Sequence, residues 1–88
     1  MNKHILMVID HQLNPEKYTK EQLKQNYADA AAAYYADADA AYDAAAAYFA
    51  AYTADAADNA AYAIDQYLKH TGENKQEYIN AINKDNKQ

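Results

Sequence analysis

Apolar and polar positions divide this chain into three parts. Residues 3–13 read KHILMVIDHQL, with an unbroken apolar run from Ile5 to Ile9. Such a run fits a buried strand or a short, mostly buried helix. A strand would need a second strand to pair with, and no other segment offers one. A helix or irregular packing segment is therefore the favoured reading of residues 3–13, with a strand paired to a second copy as the alternative.

The long middle part begins at Thr19. Thr19 and Gln22 have capping-box spacing, which predicts a helix start. No Gly or Pro interrupts the chain from there to Thr71. Asn26, Thr53 and Asn59 are only mild dips in helix propensity. Gly72, the single glycine, follows Lys69-His70-Thr71 and suits a helix C-cap with basic residues in the last turn. Asn74 to Glu77 then opens a last short helix over 73–84, with Tyr78, Ile79 and Ile82 on its apolar face. The expected fold is a single all-α domain: a packing segment at 1–18, a long helical region over 19–71, and a short C-terminal helix.

Phase along the central region carries further information. At about 100° per residue, Tyr27, Tyr34, Tyr35, Tyr42, Tyr48, Phe49 and Tyr52 fall on one face centred near roughly 190°. Asp29, Asp37, Asp39, Asp43, Asp55, Asp58 and Asp65 centre on nearly the opposite side. The sorting slips after Tyr52, where Ile64 and Leu68 lie to one side of the stripe. A break near residues 53–59, with Asp55 as a new cap, is one cause. A continuous helix passing between two partner surfaces is the other. Unbroken, residues 19–71 would form a rod about 78 Å long, too long for the short terminal segments to cover. The region must then fold back as a hairpin or bundle, or be completed by oligomerisation. Heptad spacing of Tyr27, Tyr34, Ala41 and Tyr48 is compatible with a helical interface.

Composition sharpens this picture. Ala dominates residues 28–63, and ten Tyr stand beside one Phe and no Trp. Ala forms helix readily but buries little area, so the Tyr residues and the terminal aliphatics are expected to supply most of the hydrophobic gain. Tyr in place of Phe points to a half-wet face of the kind found at interfaces. The seven stripe aromatics are thus the candidate interaction residues.

Net charge is −5, and all eight Lys lie outside the centre. A basic nucleic-acid footprint is absent, so direct nucleic-acid binding is not expected. The acidic face raises the alternative of an inhibitor that mimics nucleic acid and occupies a basic protein cleft. Its charge is sparse for that role, about one per 8 Å of helix against about one per 1.7 Å of duplex.

Catalytic and metal chemistry finds little support. Asp37, Asp39 and Asp43 have D-x-D-x-x-x-D spacing but lack the turn glycine and distal Glu of a calcium loop. The carboxylate pairs Asp39/Asp43 and Asp55/Asp58 have no evident cleft to shift a pKa. His4, His11 and His70 are scattered, and there is neither Ser nor Cys. No enzyme activity, metal or cofactor is expected. Carboxylates recur too often in the centre for a membrane span, and residues 1–13 lack the features of a secretory signal, so a cytoplasmic location is expected. The sequence thus predicts a small acidic helical protein acting through protein–protein contact, either with itself or with a larger protein bearing a basic surface.

Overall fold

The structure is a computed structural model that describes residues 1–36, 42–54 and 56–86, apart from the side chains at 42–46 and 57. Five helices follow in order: α1 (Lys3–Leu13), α2 (Lys20–Ala36), α3 (Tyr42–Tyr52), α4 (Ala57–Thr71) and α5 (Lys75–Asn86). Among the described residues there is no strand, so the N-terminal run is a helix. The Asn2 side chain caps it by accepting from the backbone N–H groups of His4 and Ile5. Ile5, Val8 and Ile9 recur at helical spacing and are fully buried. α1 packs against every other helix, which is why its apolar run is nearly continuous.

The central region is three helices rather than one. The largest dimension of the molecule is 39 Å, half the length of the unbroken rod. Tyr27, early in α2, meets Tyr52 at the end of α3, while Tyr34, late in α2, meets Tyr48. The two helices therefore run antiparallel.

A second break separates α3 from α4, within the 53–59 window that the phase drift marked. Thr53 helps to end α3: its hydroxyl donates to the carbonyl of Ala50 (3.3 Å), which has lost its helical partner because the Ala54 N–H turns to Ala51, and to that of Phe49 (3.0 Å), which also keeps the Thr53 N–H. α4 then starts with Ala56 at the N-cap position and no side-chain cap bond. The expected cap, Asp55, lies outside the described residues. Asp58 stands in the first turn instead, where a carboxylate complements the helix dipole.

The remaining boundaries follow local chemistry. At the start of α2 the Thr19 N–H donates to Gln22 Oε1 (2.8 Å) and the Gln22 N–H to Thr19 Oγ1 (3.1 Å), a reciprocal capping box. Gly72 ends α4 at φ 74°, in the left-handed region, with its N–H on the Leu68 carbonyl. Asn74 opens α5 by accepting from the Gln76 N–H (2.7 Å).

The core face of α3 departs from the sequence reading. Ala47, Ala50, Ala51 and Ala54 are buried, while Phe49 and Tyr52 are exposed. Ala60, Ala63, Ile64 and Tyr67 of α4 join Tyr78 and Ile82 of α5 in the same core. The buried side of α3 is thus the side opposite its aromatics. Ala lets helix backbones approach closely, and the aliphatics of α1 fill the space between them.

Two polar clusters fix the ends of α1. At its C-terminal end Asp10, 5 % exposed, accepts from Lys17 Nζ (2.7 Å), Tyr18 OH (2.6 Å) and Asn14 Nδ2 (2.8 Å). Lys17 also donates to Asn86 Oδ1 of α5 (3.0 Å). Burial pushes the Asp10 pKa up, but the three hydrogen bonds outweigh it and hold the carboxyl below its ordinary range. At the N-terminal end the Asn2 N–H donates to Tyr78 OH (3.0 Å), and Tyr78 OH donates to Glu73 Oε1 (2.5 Å). Burial, reinforced by hydrogen bonding with Tyr78 and Glu73, raises the Tyr67 pKa, and burial with the Glu73 bond raises that of Tyr78.

Asp10→Ala should therefore cost about 3 kcal/mol, because Tyr18 and the cation of Lys17 lose their acceptor. Since the folded pKa lies below 3.8, the stability that Asp10 contributes is present above that pH and is lost as pH falls through the folded value. Urea unfolding of wild type and Asp10→Asn across the acid range should show the two stabilities converging toward low pH. A second prediction separates the two faces of α3. Ala50 is fully buried, so Ala50→Leu should overpack the core and cost about 1–3 kcal/mol. Phe49→Ala, at an exposed position, should cost less by the same thermal unfolding measurement.

Candidate functional site

The stripe aromatics lie where α2 and α3 meet, at the margin of the core, which Tyr27 touches. Tyr27 stands edge-on to Tyr48 with ring centroids 5.3 Å apart, and its centroid lies 5.3 Å from that of Tyr52. Tyr48 also lies 5.7 Å from Tyr34 and 5.9 Å from Tyr35, again edge-on. These are favourable aromatic geometries, each worth about 0.5–1.5 kcal/mol beyond the area buried. The Tyr27 and Tyr48 hydroxyls are 3.2 Å apart and hydrogen-bonded. Bonding with Tyr27, then Tyr35, raises the Tyr48 pKa, since each neighbour stabilises the neutral phenol.

The stripe thus splits into two tiers. Tyr27, Tyr34 and Tyr48 are half-buried and hold α2 to α3. Tyr35 (72 % exposed), Phe49 (49 %) and Tyr52 (63 %) form an outer rim. Six of the seven predicted interaction residues are placed in this way, and the Tyr42 side chain lies outside the described residues. The sequence pattern located the aromatic face; it did not show that the inner tier would be satisfied within one chain by a hairpin closing on itself.

The carboxylates do not gather in the same manner. Asp29 is exposed on α2, where it accepts from Gln25 Nε2 (2.9 Å). Asp58 and Asp65 are exposed on α4. Asp37, Asp39, Asp43 and Asp55 lie outside the described residues. The shared phase of the acidic residues belonged to one unbroken helix, and the breaks place Asp29 on a different rod from Asp58 and Asp65.

A shallow groove of about 260 Å³ runs between α1 and α2, lined by Lys3, His4, Met7, Gln22, Gln25, Asn26 and Asp29. Two of its lining residues pair with each other. Asn26 Nδ2 donates to the His4 carbonyl (3.2 Å), and its Oδ1 accepts from His4 Nδ1 (3.1 Å). Asn26 is buried, so it joins α1 to α2 and is more than a propensity dip. An Asn amid an otherwise Ala-rich helix was the available signal. The groove brings no nucleophile next to a base. Among the described residues no group of three or more His, Cys, Asp or Glu is placed to hold a metal ion.

Nor is any helix among the described residues long and apolar enough to cross a membrane. No protein family, curated protein or solved structure matches the chain in the comparisons made.

The raised phenol pKa values have a measurable consequence. An unfolded Tyr ionises near 10, whereas Tyr18, Tyr48, Tyr67 and Tyr78 in the folded chain ionise higher. The unfolded state then binds fewer protons above pH 10, so stability must fall as pH rises past that point. Ultraviolet titration should show a group of tyrosines whose ionisation coincides with loss of helical circular dichroism. Tyr48→Phe should remove one member of that group.

Proposed function

We propose that this chain is a non-enzymatic protein that works through contact with another protein surface, and that the contact is the aromatic rim of α2 and α3. The observation that carries this reading is the exposure of Tyr35, Phe49 and Tyr52 on one side of a helix pair. Tyr35 and Tyr52 each set one edge against a neighbouring ring and leave most of their area in water, and Phe49 exposes half of its surface, so the patch offers apolar area beyond what the helix pair uses. Tyr and Phe are enriched in the fully buried centres of interfaces, and Tyr keeps its hydroxyl for the wet rim.

A second copy is the partner to test first. Every rim residue is uncharged, so two copies with net charge −5 can meet there without placing carboxylates directly against each other. Contact between identical patches also gives the closed two-fold symmetry usual for small oligomers. A larger protein with a basic surface is the other partner of this reading, drawn by the net charge of −5. The expected setting for either is the cytoplasm.

Light scattering over a range of concentrations tests this. Wild type should gain mass as concentration rises, with little dependence on salt. A variant carrying Tyr35→Ser, Phe49→Ser and Tyr52→Ser should remain monomeric with unchanged helix content. A wild-type mass that stays monomeric throughout would sink self-association. Association that persists in the triple variant would move the contact elsewhere. A complex with an added basic protein that collapses with modest salt would favour the acidic surface over the aromatic rim.

A further inference from the structure

The tyrosine cluster is more than a packing device, because its geometry presets a particular covalent reaction. Tyr27 and Tyr48 bring their hydroxyls within 3.2 Å and their ring centroids within 5.3 Å across two helices. The carbons flanking each hydroxyl are therefore near neighbours. Exposed tyrosines adjoin the pair: Tyr52 beside Tyr27 at 5.3 Å, and Tyr35 beside Tyr48 at 5.9 Å. Trp and Cys, the side chains that would compete for a one-electron oxidant, are missing from the chain.

We propose that Tyr27 and Tyr48 form a site of oxidative cross-linking, in which a one-electron oxidant joins them as dityrosine and staples α2 to α3. The oxidant belongs to the class of oxidised haem peroxidases, which are too bulky to reach a half-buried ring. Tyr35 and Tyr52, as the exposed members, meet it first. A phenol there gives one electron to the oxidant and its hydroxyl proton to water. The resulting radical passes inward when Tyr48 or Tyr27 gives up an electron and a proton to restore the outer phenol.

A second oxidation supplies the second radical of the pair. One carbon–carbon bond then forms between ring positions next to the two hydroxyls. The hydrogen on each joined carbon shifts to its oxygen and restores both phenols. In total, two electrons go to the oxidant, two protons go to solvent, and the chain loses two hydrogen atoms. The new bond closes a loop between residues 21 apart in sequence. Like other cross-links, it restricts the unfolded chain and raises stability.

The reaction is intramolecular, so the site stands whether or not the rim binds a partner. The test treats the intact chain, dilute enough to be monomeric, with a haem peroxidase and limiting hydrogen peroxide. The expected product is a monomer lighter by two hydrogens, with the blue fluorescence of dityrosine. Cleavage before each Asp separates Tyr27, in fragment 10–28, from Tyr34 and Tyr35, in 29–36, and from Tyr48 and Tyr52, in 43–54. Fragments 10–28 and 43–54 should emerge joined through Tyr27 and Tyr48. Tyr27→Phe and Tyr48→Phe should each abolish that species, while Tyr18→Phe, in the same fragment as Tyr27, and Tyr62→Phe, exposed on α4, should leave it unchanged.

Oxidation of the wild type in urea guards against misfolding of the variant. The preference for this pair should vanish there if folded geometry creates it. Joining of 29–36 to 43–54 in its place, covalent dimers as the main product, or the same fragment pattern in urea as in buffer would each overturn the assignment.

Discussion

Alanine supplies almost no apolar area, and that constraint shapes the whole structure. Three of the five helices draw heavily on it, so none can be held by its own side chains. What holds them is α1, whose Ile5, Val8 and Ile9 are buried on all sides and touch the Ala faces around them. Small residues on the outer helices let the backbones close in, and branched residues on the inner helix fill what remains. The arrangement concentrates the larger aliphatic side chains in one short segment. Polar groups then fix that segment at both ends: Asn2 with Tyr78 at one, Asp10 with Lys17 and Tyr18 at the other. Both sets of contacts reach α5 or the residues preceding α2, so the chain termini are tied to the same central rod.

Much of this was legible in the sequence, for identifiable reasons. Caps are local, and Thr19, Gly72 and Asn74 each do what their position implies. The slip in phase after Tyr52 coincides with the end of α3, so of the two causes it allowed, the break is the one the fold uses. The antiparallel pairing of α2 and α3 was not legible, since their shared Tyr phase reads equally well as one unbroken helix. Nor was the central place of α1 evident from an eleven-residue helix flanking a tract more than three times as long.

The largest departure concerns which side of α3 faces inward. Size argued for the aromatics and geometry chose the alanines. Burying Tyr48, Phe49 and Tyr52 between α1 and α4 would hold the helices apart and leave the hydroxyls of the two tyrosines without water. Burying Ala47, Ala50, Ala51 and Ala54 brings the helices together and leaves nothing unsatisfied. The aromatic face survives as a face, but its inner tier pairs with α2 and its outer tier meets solvent. A phase count locates such a stripe correctly while leaving its direction open. Direction depends on what the neighbouring helices can accommodate.

Why the stripe is tyrosine then has a physical answer on each tier. Between α2 and α3 the ring supplies edge contacts, and the hydroxyl finds another hydroxyl, as Tyr27 and Tyr48 show. Phe in both places would keep the rings but lose the bond that sets their register. On the rim the hydroxyls of Tyr35 and Tyr52 keep exposed rings wettable. The two uses are linked by occupancy. A partner seated on the rim covers Tyr35 and Tyr52, the rings through which an oxidant would first act, while the Tyr27–Tyr48 pair behind them keeps its geometry. Association would therefore shield the pair without dismantling it, and dissociation would expose it again. On the proposed readings, binding would use the outer tier and cross-linking the inner one, with Tyr35 and Tyr52 serving both as contact surface and as the point of entry for the oxidant.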